Sequence, residues 1–346
     1  MMEQIKRAET ALGEHESNDW QIQPRSFPQQ LETDTPELAN FLSDSLYVEK
    51  AKQFENSDKL AVDYQSRFKK RAKISSIAIF VAAAATAVLS IIAADPLAAM
   101  MPDLIIPESN KEVIKSVNEI ISLIAGLVIF VASGTLVFNS QMISQLKLYD
   151  HWMENRAKAE TARLLYFKEA AQNLIKDLAD NKQILHEFCC FFRRYQLQLQ
   201  QTYYQGRSQQ HADSLLKTAK IGAVAAVIVA AFSGSAGLAG FFNQELISFA
   251  ALGTIGVALT ALASRLEAIN QDERNAMRYK ITADVLSKVA EKYSSVQKAL
   301  AAGKDPVILL HFVDAVHEQL SLEHRQWTED AAEINTAFAE LTAAAD

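Results

Sequence analysis

Four stretches of this chain carry no charge over the length of a membrane span, and the sequence between them turns polar with helical spacing. Ile74 to Ala94 runs about 21 residues and Ile120 to Phe138 about 19, and Ile221 to Phe242 and Leu246 to Ala263 follow. A hydrocarbon core needs roughly 20 helical residues, so each stretch is predicted to be a spanning helix and the four pair into two hairpins. Prolines stand at 24, 28, 36, 96, 102 and 107 and then only at 306. Nearly two hundred residues without one predict long uninterrupted helices. Asn139 to Lys220 has room for two helices with a turn near Asp180-Asn181, the second bearing Leu185, Phe188, Phe191, Phe192 and Leu197 at helical spacing. After the fourth stretch a helix to about Ala302, a turn at Gly303-Lys304-Asp305-Pro306 and a return helix with Leu309, Phe312, Val313, Val316, Leu320 and Trp327 are expected. The predicted class is therefore all-α: a multi-pass membrane protein with four spans and a cytosolic helical bundle.

The same pattern occurs twice. Ala72-Lys73-Ile74 opens the first hairpin and Ala219-Lys220-Ile221 the second, and each hairpin is followed by basic-x-x-Ala-acidic, Arg156 to Glu160 and Lys280 to Asp284. Lys73 to Arg156 is 83 positions and Lys220 to Lys280 is 60; the difference of 23 matches the extra length of the first inter-span loop, Asp95 to Glu119, over Asn243-Gln244-Glu245. Three segments follow from this: a flexible polar arm over 1–34, a first unit over 35–180 and a second over 181–346. Order is expected from Thr35, an N-cap with Pro36 at the first helical position and Glu37 in the first turn.

Charge sets the orientation. Arg67, Lys69, Lys70, Arg71 and Lys73 precede the first span, Lys147 follows the second, Lys217 and Lys220 precede the third, and Arg265 follows the fourth. Basic flanks stay inside, whereas the first inter-span loop is acidic. Both termini and residues 139–220 are expected in the cytoplasm, in an inner-membrane protein. Met1 to Gly13 is charged and has no apolar core after a basic start, so no cleavable signal is expected there. The net charge of −7 and the absence of a basic stripe argue against a nucleic-acid partner.

Candidate chemistry changes the picture little. Eight of eleven glycines fall in the spans, so no soluble loop can wrap phosphates, and no nucleophile elbow or zinc helix occurs. No enzyme activity and no cofactor are expected. Cys189 and Cys190 are adjacent and cannot form an ordinary structural disulfide; with His186 they fall short of four zinc ligands, so buried thiols are expected and no metal. The spans hold hydroxyls but no Asp, Glu, Lys or Arg, which counts against an ion-coupled carrier. A hydroxyl in such a helix ordinarily bonds its own backbone, though several copies together can line an aqueous pore. Gly222, Gly234, Gly237, Gly240, Gly253 and Gly256 allow close helix packing, within the chain or between copies, and a homo-oligomer is expected.

Trp152, Arg156, Glu160, Arg163 and Phe167 step by four, four, three and four and form one continuous helix face. A solvated ladder of such pairs contributes about 0.3–0.5 kcal/mol per pair; the sharper reading is a clamp coupling the bundle to the spans, with Lys280 and Asp284 as its counterpart. Trp152-x-x-x-Arg156-x-x-x-Glu160-x-x-Arg163 directly beyond a two-helix hairpin resembles the SLATT superfamily, the two-transmembrane effector domains associated with SMODS nucleotidyltransferases and SLOG proteins. The second unit departs from the motif, with Ala276 and Ser287 in place of Trp152 and Arg163. The resemblance implies a non-enzymatic, pore-forming or membrane-perturbing effector of prokaryotic anti-phage conflict systems. Its implied partners are the bilayer, further copies of itself and a nucleotide-synthesising or nucleotide-sensing protein. The alternatives are a membrane scaffold for a soluble enzyme or sensor and a housekeeping channel.

Overall fold

A computed structural model describes residues 7, 9–13, 22, 29–93, 108–242 and 250–343. Among the described residues no strand occurs and 94% are helical. In chain order the helices are α1 (Gln29–Asp34), α2 (Pro36–Leu42), α3 (Ser45–Ala93), α4 (Glu108–Gln145), α5 (Leu148–Leu178) and α6 (Lys182–Phe192). A π-helical segment (Arg193–Gln198) leads into α7 (Leu199–Phe242), followed by α8 (Ala250–Asn270), α9 (Asp272–Glu291), α10 (Tyr293–Ala301) and α11 (Val307–Ala343). Four of the helical stretches are long and apolar enough to cross a membrane.

The breaks have local causes. Thr35 stands at the N-cap of α2 with Pro36 in the first turn. Asn181 caps α6, its side chain accepting from the Ile184 amide at 3.3 Å. At the predicted turn before α11, Gly303 has φ +70° and Asp305 Oδ1 accepts from the Val307 amide at 2.9 Å. Two differences from the sequence reading are evident. The acidic stretch up to Glu119 is helical from Glu108 onward, and the helix expected to run to Ala302 is interrupted between α9 and α10. Residues 95–107 and 243–249, including the start of the fourth predicted span, lie outside the described residues.

The chain divides into two compact units, each drawing on both tandem halves read from the sequence. Unit 1 comprises Met1–Gln65, Tyr149–His211 and Arg274–Asn335; unit 2 comprises Ser66–Leu148, Ala212–Glu273 and Thr336–Asp346. Helices α3 and α7 each contribute residues to both without interruption.

Unit 1 is built on an aromatic core. Phe167 meets Phe191 and Phe192 at centroid distances of 5.6 Å, and Phe192 meets Phe312 at 5.7 Å edge-on, the tilted and T-shaped arrangements that ring quadrupoles favour. Leu185, Phe188, Leu197, Leu309, Val313, Val316 and Leu320 are buried in the same cluster, so the amphipathic faces read from the sequence do point inward. Cys189 and Cys190 are free and buried there too, and burial pushes both thiols up. The arm expected to be flexible is tied to this core at least in part. Leu12 and Ile22 are fully buried, Arg193 donates to the Gly13 carbonyl at 2.6 Å and Arg194 to that of Leu12 at 3.2 Å.

Unit 2 turns apolar side chains outward. Leu123 and Phe130 are 75% and 76% exposed, a distribution that fits lipid rather than water as solvent. Several of its hydroxyls bond their own helices: Ser76 to the Ala72 carbonyl at 2.9 Å, Thr86 to Ala82 at 2.9 Å, Ser90 to Thr86 at 3.0 Å and Thr260 to Gly256 at 3.0 Å. Gly256 is where α7 and α8 close on each other, since a Cβ there would stand 2.7 Å from Val229 Cγ2 and 2.8 Å from the Ala225 carbonyl. Gly253 is buried on the same helix. Gly222, by contrast, opens onto empty space, so within this chain it is not a packing glycine; what surrounds Gly234, Gly237 and Gly240 lies outside the description.

The two left-handed non-glycine residues among those described are Lys147 (φ 44°) and Gln271 (φ 49°). They are 124 positions apart, as are Arg156 and Lys280. Each stands just beyond the helix that carries a hairpin's second apolar run. Contacts recur at the same offsets. Arg163 lies over the Phe54 ring at 4.4 Å, and Gln201 donates to Ser287 at 2.8 Å; Phe54 and Gln201 are 147 positions apart, like Lys73 and Lys220, while Arg163 and Ser287 are 124 apart.

Candidate functional site

Helix α5 presents Trp152, Arg156, Glu160, Arg163 and Phe167 on a single face, and that face is turned into unit 1. Trp152 is buried and meets Tyr149 edge-on at 5.7 Å, and Phe167 sits in the aromatic core. Between them the three charges form a cluster. Arg156 Nη1 bonds Asp58 Oδ1 on α3 at 3.1 Å, and its Nη2 lies 2.6 Å from Glu160 Oε1. Arg163 Nη1 is 4.0 Å from Glu160 Oε2 while its guanidinium covers Phe54, also on α3.

A second buried pair adjoins the first. Tyr204 donates to Glu323 Oε2 at 2.9 Å, and Arg278 Nε stands 3.8 Å from Glu323 Oε1. Asp58, Glu160 and Glu323 thus face Arg156, Arg163 and Arg278, three charges of each sign. Burial works against ionisation of Glu160, but Arg156 and then Arg163 outweigh it and hold the carboxyl below its usual range. Glu323 goes the other way: burial raises it and Arg278 and the Tyr204 hydroxyl only partly compensate. Burial depresses His324, beside Glu160 and Arg156, below its ordinary value.

Charges taken out of water cost several kcal/mol each, and pairing recovers that only when the geometry is good and the remaining polar atoms are satisfied. Here it is incomplete. Arg163 Nε and Glu160 Oε1 are buried without a hydrogen bond of proper geometry. The cluster joins this face of α5 to α3 through the Arg156–Asp58 bond and Arg163 over Phe54. Glu160 and Arg163 are buried, so this face is not a solvated ladder.

The counterpart residues of the second tandem half behave differently. Lys280 and Asp284 are exposed, and no ion pair joins them among the described residues. Where Arg163 caps an aromatic ring in the first half, the second has the neutral Gln201 to Ser287 bond. Sequence reasoning missed Asp58, Arg278, Tyr204 and Glu323, which come from four different helices; only the Arg278-Tyr279 dipeptide, two residues before Lys280, could have drawn attention.

A smaller polar group surrounds the cysteines. His186 Nδ1 lies 3.7 Å from Cys190 Sγ, Tyr293 donates to that sulfur at 3.3 Å, and His186 Nε2 lies 3.7 Å from Glu9. Among the described residues no three His, Cys, Asp or Glu side chains converge in a metal-binding group.

A family model described as a protein of unknown function (DUF4231) matches residues 56–168. The matched third of the chain takes in most of α3, all of α4 and α5 as far as Lys168, and so carries Asp58, Arg156, Glu160 and Arg163. No curated protein and no solved structure matches the chain.

Proposed function

We propose that the chain is a non-enzymatic membrane effector of the inner membrane, built of two tandem SLATT-like units, whose charged bundle controls a leak through assembled apolar helices. The observation that carries this reading is the Arg156 to Asp58 bond. Asp58 sits on α3, the same uninterrupted helix that continues as the apolar run from Ile74, so a partner that disturbs the cluster acts on a lever reaching into the membrane segment. The tandem reading is supported by the left-handed residues and the contact pairs that recur at offsets of 124 and 147. In this reading both termini face the cytoplasm, copies of the chain assemble through the outward apolar faces, and the trigger is a nucleotide-synthesising or nucleotide-sensing protein.

Induced expression in cells loaded with a membrane-potential dye tests the reading. Depolarisation is expected, either on expression alone or on phage challenge beside the genes adjoining this one. An intact potential with normal growth under challenge, together with a stoichiometric soluble enzyme recovered by pull-down, points instead to a membrane scaffold.

A further inference from the structure

Within unit 2 the two apolar helices of the first hairpin do not close. An apolar groove of about 420 Å³ runs between α3 and α4, lined among others by Ile74, Ala78 and Val81 on one side and Leu127, Val131 and Thr135 on the other. It extends over about two turns of each helix, roughly 12 Å at 1.5 Å per residue. At the Ile74 and Thr135 end a polar group is built. Arg71 Nη1 donates to Asn139 Oδ1 at 3.3 Å, Asn139 Nδ2 donates to the Thr135 carbonyl at 2.9 Å, and the Arg71 guanidinium lies 5.9 Å from the Phe138 ring centroid. Ser75, 6% exposed and with its hydroxyl unbonded, lies on α3 one turn from both Arg71 and Ala78. Lys70 and Lys73 beside it are exposed.

The second hairpin keeps the two lysines, Lys217 and Lys220 matching Lys70 and Lys73, but not the polar group at Arg71 and Asn139. The positions matching Arg71, Phe138 and Asn139 are Thr218, Leu262 and Ala263, and the crossing that Ala78 and Ala132 leave open is sealed there by Gly256 against Ala225 and Val229. A groove that is apolar along its length and cationic at one end, in a helix pair of membrane-spanning character, matches one kind of molecule. We infer that the first hairpin binds one anionic phospholipid, its acyl chain in the groove and its phosphate on Arg71. Basic pockets between membrane helices recognise such headgroups, each cation near the surface being equivalent to about a five-fold preference. Asn139 orients the guanidinium.

The site rests on the membrane reading of these helices, and photolabelling of the full chain tests it. The protein is reconstituted in phosphatidylcholine vesicles doped with phosphatidylglycerol bearing a diazirine in one acyl chain. Labels should map to 74–81 and 127–135, and unlabelled phosphatidylglycerol should compete about five-fold better than phosphatidylcholine. Arg71→Gln should abolish that preference, Arg71→Lys should keep most of it, and Thr218→Ala should leave it unchanged. Equal labelling at 221–229, or competition indifferent to headgroup, would overturn the assignment, as would crosslinks between chains in place of lipid at 127–135, which would make a second copy the occupant. A chain removed from the vesicles by alkaline extraction would defeat the membrane reading itself and the site with it.

Discussion

Glu160 is the residue on which the cluster turns, because it is the carboxylate that two arginines share. Removing one partner of a buried pair leaves an uncompensated charge, which costs about 3–5 kcal/mol, so Glu160→Gln should lower the unfolding midpoint of the full chain far more than Asp58→Asn. The Asp58 to Arg156 pair is partly exposed, and its loss should cost at most about 1 kcal/mol. Comparable shifts for the two variants in thermal melts would mean that Glu160 is solvated. Reversing the charges, Arg156→Glu with Glu160→Arg, should not restore the native state, since residue 156 would then confront Asp58. The same burial gives a pH dependence. His186, His317 and His324 are all held below 6.5, in each case mainly by burial. Their neutral forms favour the folded chain above 6.5, and that contribution is lost as pH falls below 6.5 through the depressed values. Glu160 acts in the same direction, its contribution present above 4.5 and lost below it; Glu323, raised, opposes them, favouring the folded state at low pH and losing that effect as pH rises through its folded value. The melting temperature should therefore fall between pH 7 and 5.5, and replacing the three histidines by glutamine should flatten the profile. The face from Trp152 to Phe167 was legible in the sequence because helical spacing alone determines it. Asp58 and Glu323 were not, because nothing in a single chain reveals which distant carboxylate a helix face will meet.

At the scale of elements, helix existence followed from apolar periodicity and from the missing prolines, and the capped turns at Asn181 and Gly303 announced themselves by residue type. The breaks at Lys147 and Gln271 did not, because neither residue favours a left-handed backbone. Both conformations cost a side-chain-bearing residue energy that glycine does not incur, so Lys147→Gly and Gln271→Gly should each be neutral or stabilise by up to about 1 kcal/mol, whereas Lys147→Val should destabilise. Equal behaviour of glycine and valine at 147 in denaturation would contradict the left-handed backbone. The spans' glycines likewise looked alike in the sequence and differ in the structure. Gly256→Leu should weaken packing of α7 on α8 and reduce resistance to heat in detergent, while Gly222→Ala, with no atom within 4 Å of the added carbon, should leave it unchanged.

For the molecule as a whole, the basic flanks predict that a cysteine introduced at Val113, a largely exposed site, labels from outside intact cells, and that one at Gln210, also exposed, labels only after permeabilisation. The native cysteines are fully buried and should stay silent. The reverse pattern would overturn the orientation. Four helices long and apolar enough to span could be read from hydropathy, but the division of the chain into two compact units could not, since it depends on where long helices meet partners. The most direct measurement of the proposed coupling is the membrane potential of cells expressing, at equal membrane abundance, the wild type, Asp58→Asn, and Lys168→Gln, which removes a comparable ion pair to Asp314 away from the cluster. The wild type and Lys168→Gln should depolarise the membrane alike and Asp58→Asn should do so several-fold less; a potential untouched by the wild type even under phage challenge, or an Asp58→Asn response equal to the wild type, would contradict it.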